Sequence, residues 1–318
     1  MFRNVGMRRR ELIQWLAAAP TIGLLQGCDT GAAATRETVM TPDPRVLQKF
    51  GLQLSTITPM LMADFEGTLA RVAEIGYQQV EFSALGFLGR PIATVSQLLA
   101  DSNLEAPVGR ISPKLPEGFA NLPREEQRAA FRTLAGPEHL LANVEYGLEA
   151  ARELGQRHLV LPALMPDNFA TASGVEASID LLRRAGEVCA RAGIQFGYHN
   201  HNWEFGEVDG IVPYDLMLER IEPELMAFQL DVYWVTKGGR DPLHYLSNYP
   251  GRFPSSHLKD ITSEGDFEDV GYGEIDMPEF VRAAEDSGTE YFFVERDNPP
   301  EPMRTAERTH AFLKQMRY

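Results

Sequence analysis

Cysteine, tryptophan and positive charge are all scarce in this chain. Only Cys28 and Cys189 occur among 318 residues, so no disulfide framework holds the fold together. Cys189 lies in an apolar helical stretch, Gly186-Glu-Val-Cys-Ala, and is expected to be a buried core thiol without an intrachain partner. Lys and Arg number 30 against 45 Asp and Glu, a formal net charge of −15. Such a chain repels a phosphate backbone, so no nucleic-acid partner is expected. No Gly-x-Gly-x-x-Gly follows the first strand candidate, which removes the usual dinucleotide-binding signature. The apolar stretch from Leu12 to Leu25 falls short of the ~20 residues that a membrane-spanning helix needs.

That stretch reads instead as the core of an export signal. Arg8-Arg9-Arg10-Glu11-Leu12 opens it with a basic, twin-arginine-like segment, and Leu25-Gln26-Gly27-Cys28 closes it like the lipobox of a bacterial lipoprotein. Residues 1–28 are therefore predicted to be a cleaved signal with lipidation on Cys28. The expected product is periplasmic and touches a membrane only through its lipid anchor. Residues 29–47 lack periodic apolar positions and read as a linker, leaving 48–318 as one large domain.

Within that domain, apolar runs with β-branched or aromatic content alternate eight times with amphipathic stretches. The strand candidates are Gly51–Ile57, Gln79–Phe82, Ala106–Ile111, His158–Leu161, Ile194–Tyr198, Ala227–Val232, Phe253–Leu258 and Tyr291–Glu295. Several intervening helices stop at glycine: Gly76, Gly155, Gly193 and Gly288. Eight repeats of strand, helix and glycine predict an α/β fold of the (β/α)8 TIM-barrel type. Ser112 to Pro137 and Thr262 to Pro278 are longer connections, both candidates for substrate contact.

Four of the last strand candidates end at a residue type that ligates metals. His199, Asp231, His257 and Glu295 follow one another at roughly the 30-residue repeat of a barrel unit, so they are expected at one face. Imidazole and carboxylate together suit one divalent ion: Mn, Co, Fe, Zn or Mg. His201 shares the parity of His199, so either histidine qualifies as the strand-five ligand, the other lying in the substrate pocket. Asp231 closes the run Phe-Gln-Leu, where a carboxylate is costly to bury unless paired or coordinated.

Six strings carry a resemblance. Gly51-Leu-Gln-Leu-Ser, Ile75-Gly-Tyr-Gln-Gln-Val-Glu-Phe, Tyr198-His-Asn-His-Asn-Trp-Glu-Phe, Leu230-Asp-Val-Tyr-Trp, His257-Leu-Lys-Asp and Val270-Gly-Tyr-Gly-Glu-Ile-Asp occur in family order. From about residue 48 to 318 the chain resembles the sugar phosphate isomerase/epimerase family of xylose-isomerase-like barrels, in an exported branch with Tyr-His-Asn-His. The resemblance implies one divalent metal at the ends of strands five to eight and action on small sugars or polyols. The family usually has glutamate at the ends of both strand five and strand eight, where the pair moves protons on opposite faces of the substrate. Here His199 stands at the first position, which weakens a symmetrical epimerase and favours isomerisation or β-elimination through an enediolate.

Further roles are assigned from position. Glu81, at the end of strand two, is expected at the mouth as a base or as a hydrogen-bond partner of a sugar hydroxyl, with Glu204 as the alternate base and Lys259 as an acid or polarising group. His201, Trp234 and Arg110 are expected to contact substrate, although Arg110 equally suits pairing with an acid. Export argues for free sugars, keto-glycosides or inositol-like polyols over phosphorylated ones. A carbohydrate-binding lipoprotein without turnover is the reading from another class.

Overall fold

Each of the eight apolar runs contains a strand: β1 (Gly51–Gln53), β2 (Gln79–Glu81), β3 (Val108–Arg110), β4 (His158–Leu161), β5 (Gln195–His199), β6 (Met226–Asp231), β7 (Ser255–Leu258) and β8 (Tyr291–Val294). These come from a computed structural model, which describes residues 44–116, 118–119 and 122–318. The segment predicted to be a signal, Cys28 and the predicted linker through residue 43 lie outside the described residues. Within the stretch predicted as linker, Arg45 exchanges backbone hydrogen bonds with Tyr318 (2.8 and 3.1 Å) and Leu47 is buried, so the domain takes in residues 44–47.

All strand pairs in the main sheet are parallel. The ladder runs β2-β1-β8-β7-β6-β5-β4-β3. Its seam is drawn together at a bridge from Gln79 to Glu105, where Val80 N–H donates to the Glu105 carbonyl at 2.8 Å. The result is the nearly closed TIM barrel expected from the repeat. β1 is shorter than its apolar run because Gln53 accepts the Ser55 N–H (3.0 Å), starting a 3-10 turn over Leu54–Ile57.

Local chemistry sets the helix ends. Asp64 accepts the Gly67 N–H at 3.0 Å and starts Phe65–Ile75, which buries Phe65, Leu69 and Val72. Gly76 ends that helix at φ 114°, and Gly288 ends Met277–Ser287 at φ 101°, a backbone region that a Cβ disfavours. Gly155 and Gly193 also have positive φ. No helix among the described residues is long and apolar enough to cross a membrane.

The barrel interior changes character along its axis. Val108, Val160 and Phe293 form an apolar floor. A Cβ on Gly51 would lie 2.6 Å from the Phe293 ring, so glycine there makes room for the phenylalanine. Toward the C-terminal ends, the buried residues turn polar: Gln53, Glu81, His199, Gln229, Asp231, Ser255 and His257. Residues of the opposite parity, such as Leu52, Val80, Phe196, Tyr198, Phe228 and Leu230, belong to the large apolar core.

The two long connections differ. The first carries a helix, Arg124–Leu134, that buries none of its residues. The second opens with an antiparallel hairpin, Asp260–Ile261 against Phe267–Glu268, and is clamped at both ends. The buried Asp260 carboxylate accepts N–H groups from Ile261, Gly271, Gly273 and Ile275 at 2.9–3.2 Å. Arg296 reaches Asp269 at 2.6 Å from the other side. The loop is thereby fastened to the segments that follow His257 and Glu295.

Candidate metal centre

Strands β5 to β8 deliver His199, Asp231, His257 and Glu295 to one buried point. One ligand atom from each lies within 4.8 Å of the others. A tetrahedral ion with bonds of about 2.1 Å needs ligand atoms about 3.4 Å apart, so small side-chain movements suffice. The sharpest sign of fit is Asp231. Its Oδ1 accepts the Trp234 N–H (3.0 Å) and starts the helix Val232–Lys237. Its Oδ2 is buried with no hydrogen-bond partner. That oxygen lies 3.8 Å from His199 Nε2 and 4.0 Å from His257 Nδ1. The Lys259 ammonium is 3.2 Å away but is not aligned to donate to it. A buried carboxylate oxygen that accepts no hydrogen bond and faces two imidazoles beside the Lys259 ammonium suits a cation.

A polar layer underlies the ligands. His199 Nδ1 lies 3.1 Å from Gln229 Oε1, its neighbour in register on β6. His257 Nε2 lies 2.6 Å from Glu81 Oε2, while its Nδ1 lies 2.8 Å from Glu295 Oε2. Burial works against charge on His257, but Glu81 and Glu295 overcome it and raise this imidazole to about 9. Burial, with the nearby charges of His257 and Arg110, holds His199 well below the ordinary histidine value. Burial pushes Asp231 up, against the pull of Lys259 and His257.

At the mouth, Lys259 is buried among three carboxylates: Asp297 at 2.9 Å, Glu295 at 2.9 Å and Asp231 at 3.2 Å. Burial opposes its charge, but these neighbours outweigh it and keep the group an ammonium. It also lies 5.3 Å from the Trp234 ring. His201 stacks on Trp203 (4.3 Å, 11° between planes) and lies 5.1 Å from Trp234. Burial, aided by the Lys259 charge, lowers His201 to about 3, so it is a neutral ring. Phe267, from the clamped hairpin, packs on Tyr233 and Trp234.

Several placements depart from the sequence expectation. His199 joins the cluster, whereas His201 sits in the aromatic wall. Glu81 is fully buried beneath the ligands, not free at the mouth. Its carboxylate accepts from Gln53 (2.5 Å), Gln229 (2.7 Å) and His257 (2.6 Å), with Arg110 at 3.6 Å. Burial opposes ionisation of Glu81, yet Arg110 and His257 hold it below the ordinary carboxylate value. This is the wrong setting for collecting a substrate proton. Arg110 pairs with that acid and donates to Gln229 (2.6 Å), so its acid-pairing role is the one seen. Glu204 is buried too, receiving the Tyr198 hydroxyl (2.6 Å) and the His201 N–H (2.9 Å). Burial pushes it up to about 7. It holds the loop after β5 in shape.

Other contributors escaped the sequence. Gln229 shares strand parity with Asp231, and Asp297 follows Glu295 by two residues, a spacing that hints at proximity without proving it. Ser55, whose Oγ donates to Glu295 Oε1 at 2.6 Å, closes the string Gly51-Leu-Gln-Leu-Ser but drew no role from it.

Comparison with known proteins adds four likenesses. A family model described as xylose isomerase-like TIM barrel matches residues 69–316. An inosose dehydratase of Geobacillus kaustophilus (strain HTA426) is 32% identical over 91 residues, 29% of this chain and 29% of that protein. An inosose dehydratase of Geobacillus thermodenitrificans (strain NG80-2) is 27% identical over 141 residues, 38% of this chain and 47% of that protein. The chain thus matches less than half the length of either curated relative. A crystal structure of a sugar phosphate isomerase/epimerase from Parabacteroides distasonis ATCC 8503 superposes with TM-score 0.67 at 24% identity, covering 90% of this chain and 98% of that one. This last likeness is one of fold.

Proposed function

This chain belongs to the xylose isomerase-like TIM barrel family, and from that premise we propose a divalent-metal-dependent enzyme that removes a proton next to the carbonyl of a non-phosphorylated sugar or keto-sugar. The observation that carries the proposal is the buried Asp231 Oδ2, which accepts no hydrogen bond, within a His199–Asp231–His257–Glu295 cluster at the strand ends. A bound ion would supply Lewis-acid polarisation of the substrate carbonyl.

The chain's own groups divide the remaining work. Lys259, held as an ammonium by three carboxylates, donates hydrogen bonds to a substrate oxygen and does not accept protons. Asp297 is the base in this reading. It has one oxygen on Lys259 and a side chain 34% exposed, against 0% for Asp231 and 7% for Glu295. Trp234, His201 and Phe267 form the wall against which a sugar ring lies. Arg110 is paired with Glu81 beneath the ligands and the Lys259 charge is offset by three carboxylates, so neither charge is left to balance a phosphate, which supports a neutral substrate. One acid and one base of different type favour isomerisation or elimination over symmetrical epimerisation. The two inosose dehydratase likenesses favour a second outcome for the same proton removal, loss of water from a keto-polyol. On sequence alone, Leu25-Gln26-Gly27-Cys28 supports export as a lipoprotein.

The test is solvent deuterium uptake by free sugars, keto-sugars and inososes with metal-loaded protein. Asp297→Asn should keep its metal and slow uptake by about 100-fold, the usual worth of a general base. Tight sugar binding with no exchange by the parent protein would replace the enzyme with a carbohydrate-binding protein.

A further inference from the structure

Resting on the metal-site reading and deepening it, the geometry points to Gln229 as the positioning residue that decides which nitrogen His199 turns toward the ion, and that couples this choice to His257. A neutral imidazole has one N–H and one lone pair, so whatever the second nitrogen meets fixes the first. His199 Nδ1 meets Gln229 Oε1 at 3.1 Å.

The amide is not free to flip. Its Oε1 also accepts from Arg110 Nη1 at 2.6 Å, and its Nε2 donates to Glu81 Oε1 at 2.7 Å and to Ser255 Oγ at 3.3 Å. The reversed amide would set its NH2 against the guanidinium and its carbonyl against the carboxylate. Oε1 is therefore an acceptor, His199 carries its hydrogen on Nδ1, and the Nε2 lone pair faces the side on which Asp231 Oδ2 lies at 3.8 Å.

The same link reaches the second histidine. Glu81 Oε1 holds Gln229, and Glu81 Oε2 faces His257 Nε2 at 2.6 Å. A carboxylate only accepts, so without metal His257 carries a hydrogen on each nitrogen, Nε2–H to Glu81 and Nδ1–H to Glu295. Nδ1, which faces Glu295 and Asp231, is the nitrogen that would yield its proton to an ion, leaving Nε2–H on Glu81. Arg110, Gln229 and Glu81 thus form one chain that specifies both tautomers. Gln229 also suits a histidine at position 199. A carboxylate at 199 would face the Gln229 carbonyl oxygen and be repelled, whereas an imidazole N–H satisfies it.

The test reads tautomers and affinity, with no need for a substrate. In 15N-histidine-labelled protein loaded with Zn2+, two-bond proton–nitrogen spectra should show His199 metallated at Nε2 and protonated at Nδ1, with the reverse at His257. Gln229→Met removes the acceptor and should weaken Zn2+ binding 10- to 100-fold, the usual effect of losing a partner behind a ligand. The exchange variant Glu81→Gln/Gln229→Glu swaps amide and carboxylate across the pair, preserves every acceptor, and should bind within about threefold of the parent. His199 metallated at Nδ1 in the parent would overturn the assignment, with or without a folded variant. So would a folded Gln229→Met with parental affinity and tautomers, or a folded exchange variant that loses affinity. A parent that binds no divalent ion would instead sink the metal reading itself.

Discussion

Asp231→Asn separates the two jobs of one side chain. Asparagine keeps an oxygen to cap the Trp234 N–H, so the helix Val232–Lys237 retains its start. At the Oδ2 position it puts an NH2 group, which binds no cation. In the metal-free protein the change removes an attraction to Lys259 at 3.2 Å, worth about 5 kcal/mol at an effective dielectric of about 20. It also removes the several kcal/mol cost of keeping that carboxylate charged in the interior, so the two changes largely cancel. Lys259 keeps Glu295 and Asp297. Metal-free stability should therefore move by no more than about 2 kcal/mol. Four-ligand zinc sites bind with about 10–16 kcal/mol, so one ligand is worth roughly 3 kcal/mol, or about 100-fold in affinity. Chelator-competition titration with Zn2+, alongside urea melts of the metal-free protein, measures both. Parental affinity in a folded Asp231→Asn protein would refute the site.

Other perturbations test the surroundings. Glu204 is an acid whose folded value is raised to about 7 by burial, so the unfolded chain ionises first as pH rises and folding loses roughly 3 kcal/mol at most between about pH 4.5 and 7, with little change above. Glu204→Gln should flatten that slope in thermal melts, and an unchanged slope would count against the burial argument. Asp260→Asn leaves two of the four amides without an acceptor and the other two without a charged one, so it should cost about 2–3 kcal/mol and speed amide exchange among Gly271, Gly273 and Ile275. Unaltered exchange there would mean the carboxylate does not hold the loop. Cys28→Ser should abolish fatty-acid labelling, and labelling that persists would remove the lipobox.

The sequence by itself determined the barrel and the four ligand candidates, because both are periodic. Apolar runs, glycine stops and a ligand-type residue closing each of the last four runs repeat at barrel spacing, and each is a local property of the chain. It did not determine depth. Glu81 closes its run just as Asp231 does, yet β2 pairs Glu81 with Gln53, and the side chain projects beneath the metal cluster. Parity likewise put Lys259 inward without revealing the three carboxylates that wait there, two of them from β6 and from the end of β8. Choosing between His199 and His201 needed the Trp203 stack, and the role of Gln229 needed its rung opposite His199. These are questions of register between strands distant in sequence. Only closing the barrel fixes that register, because an interior side chain's level depends on how neighbouring strands are staggered, and no single strand encodes it.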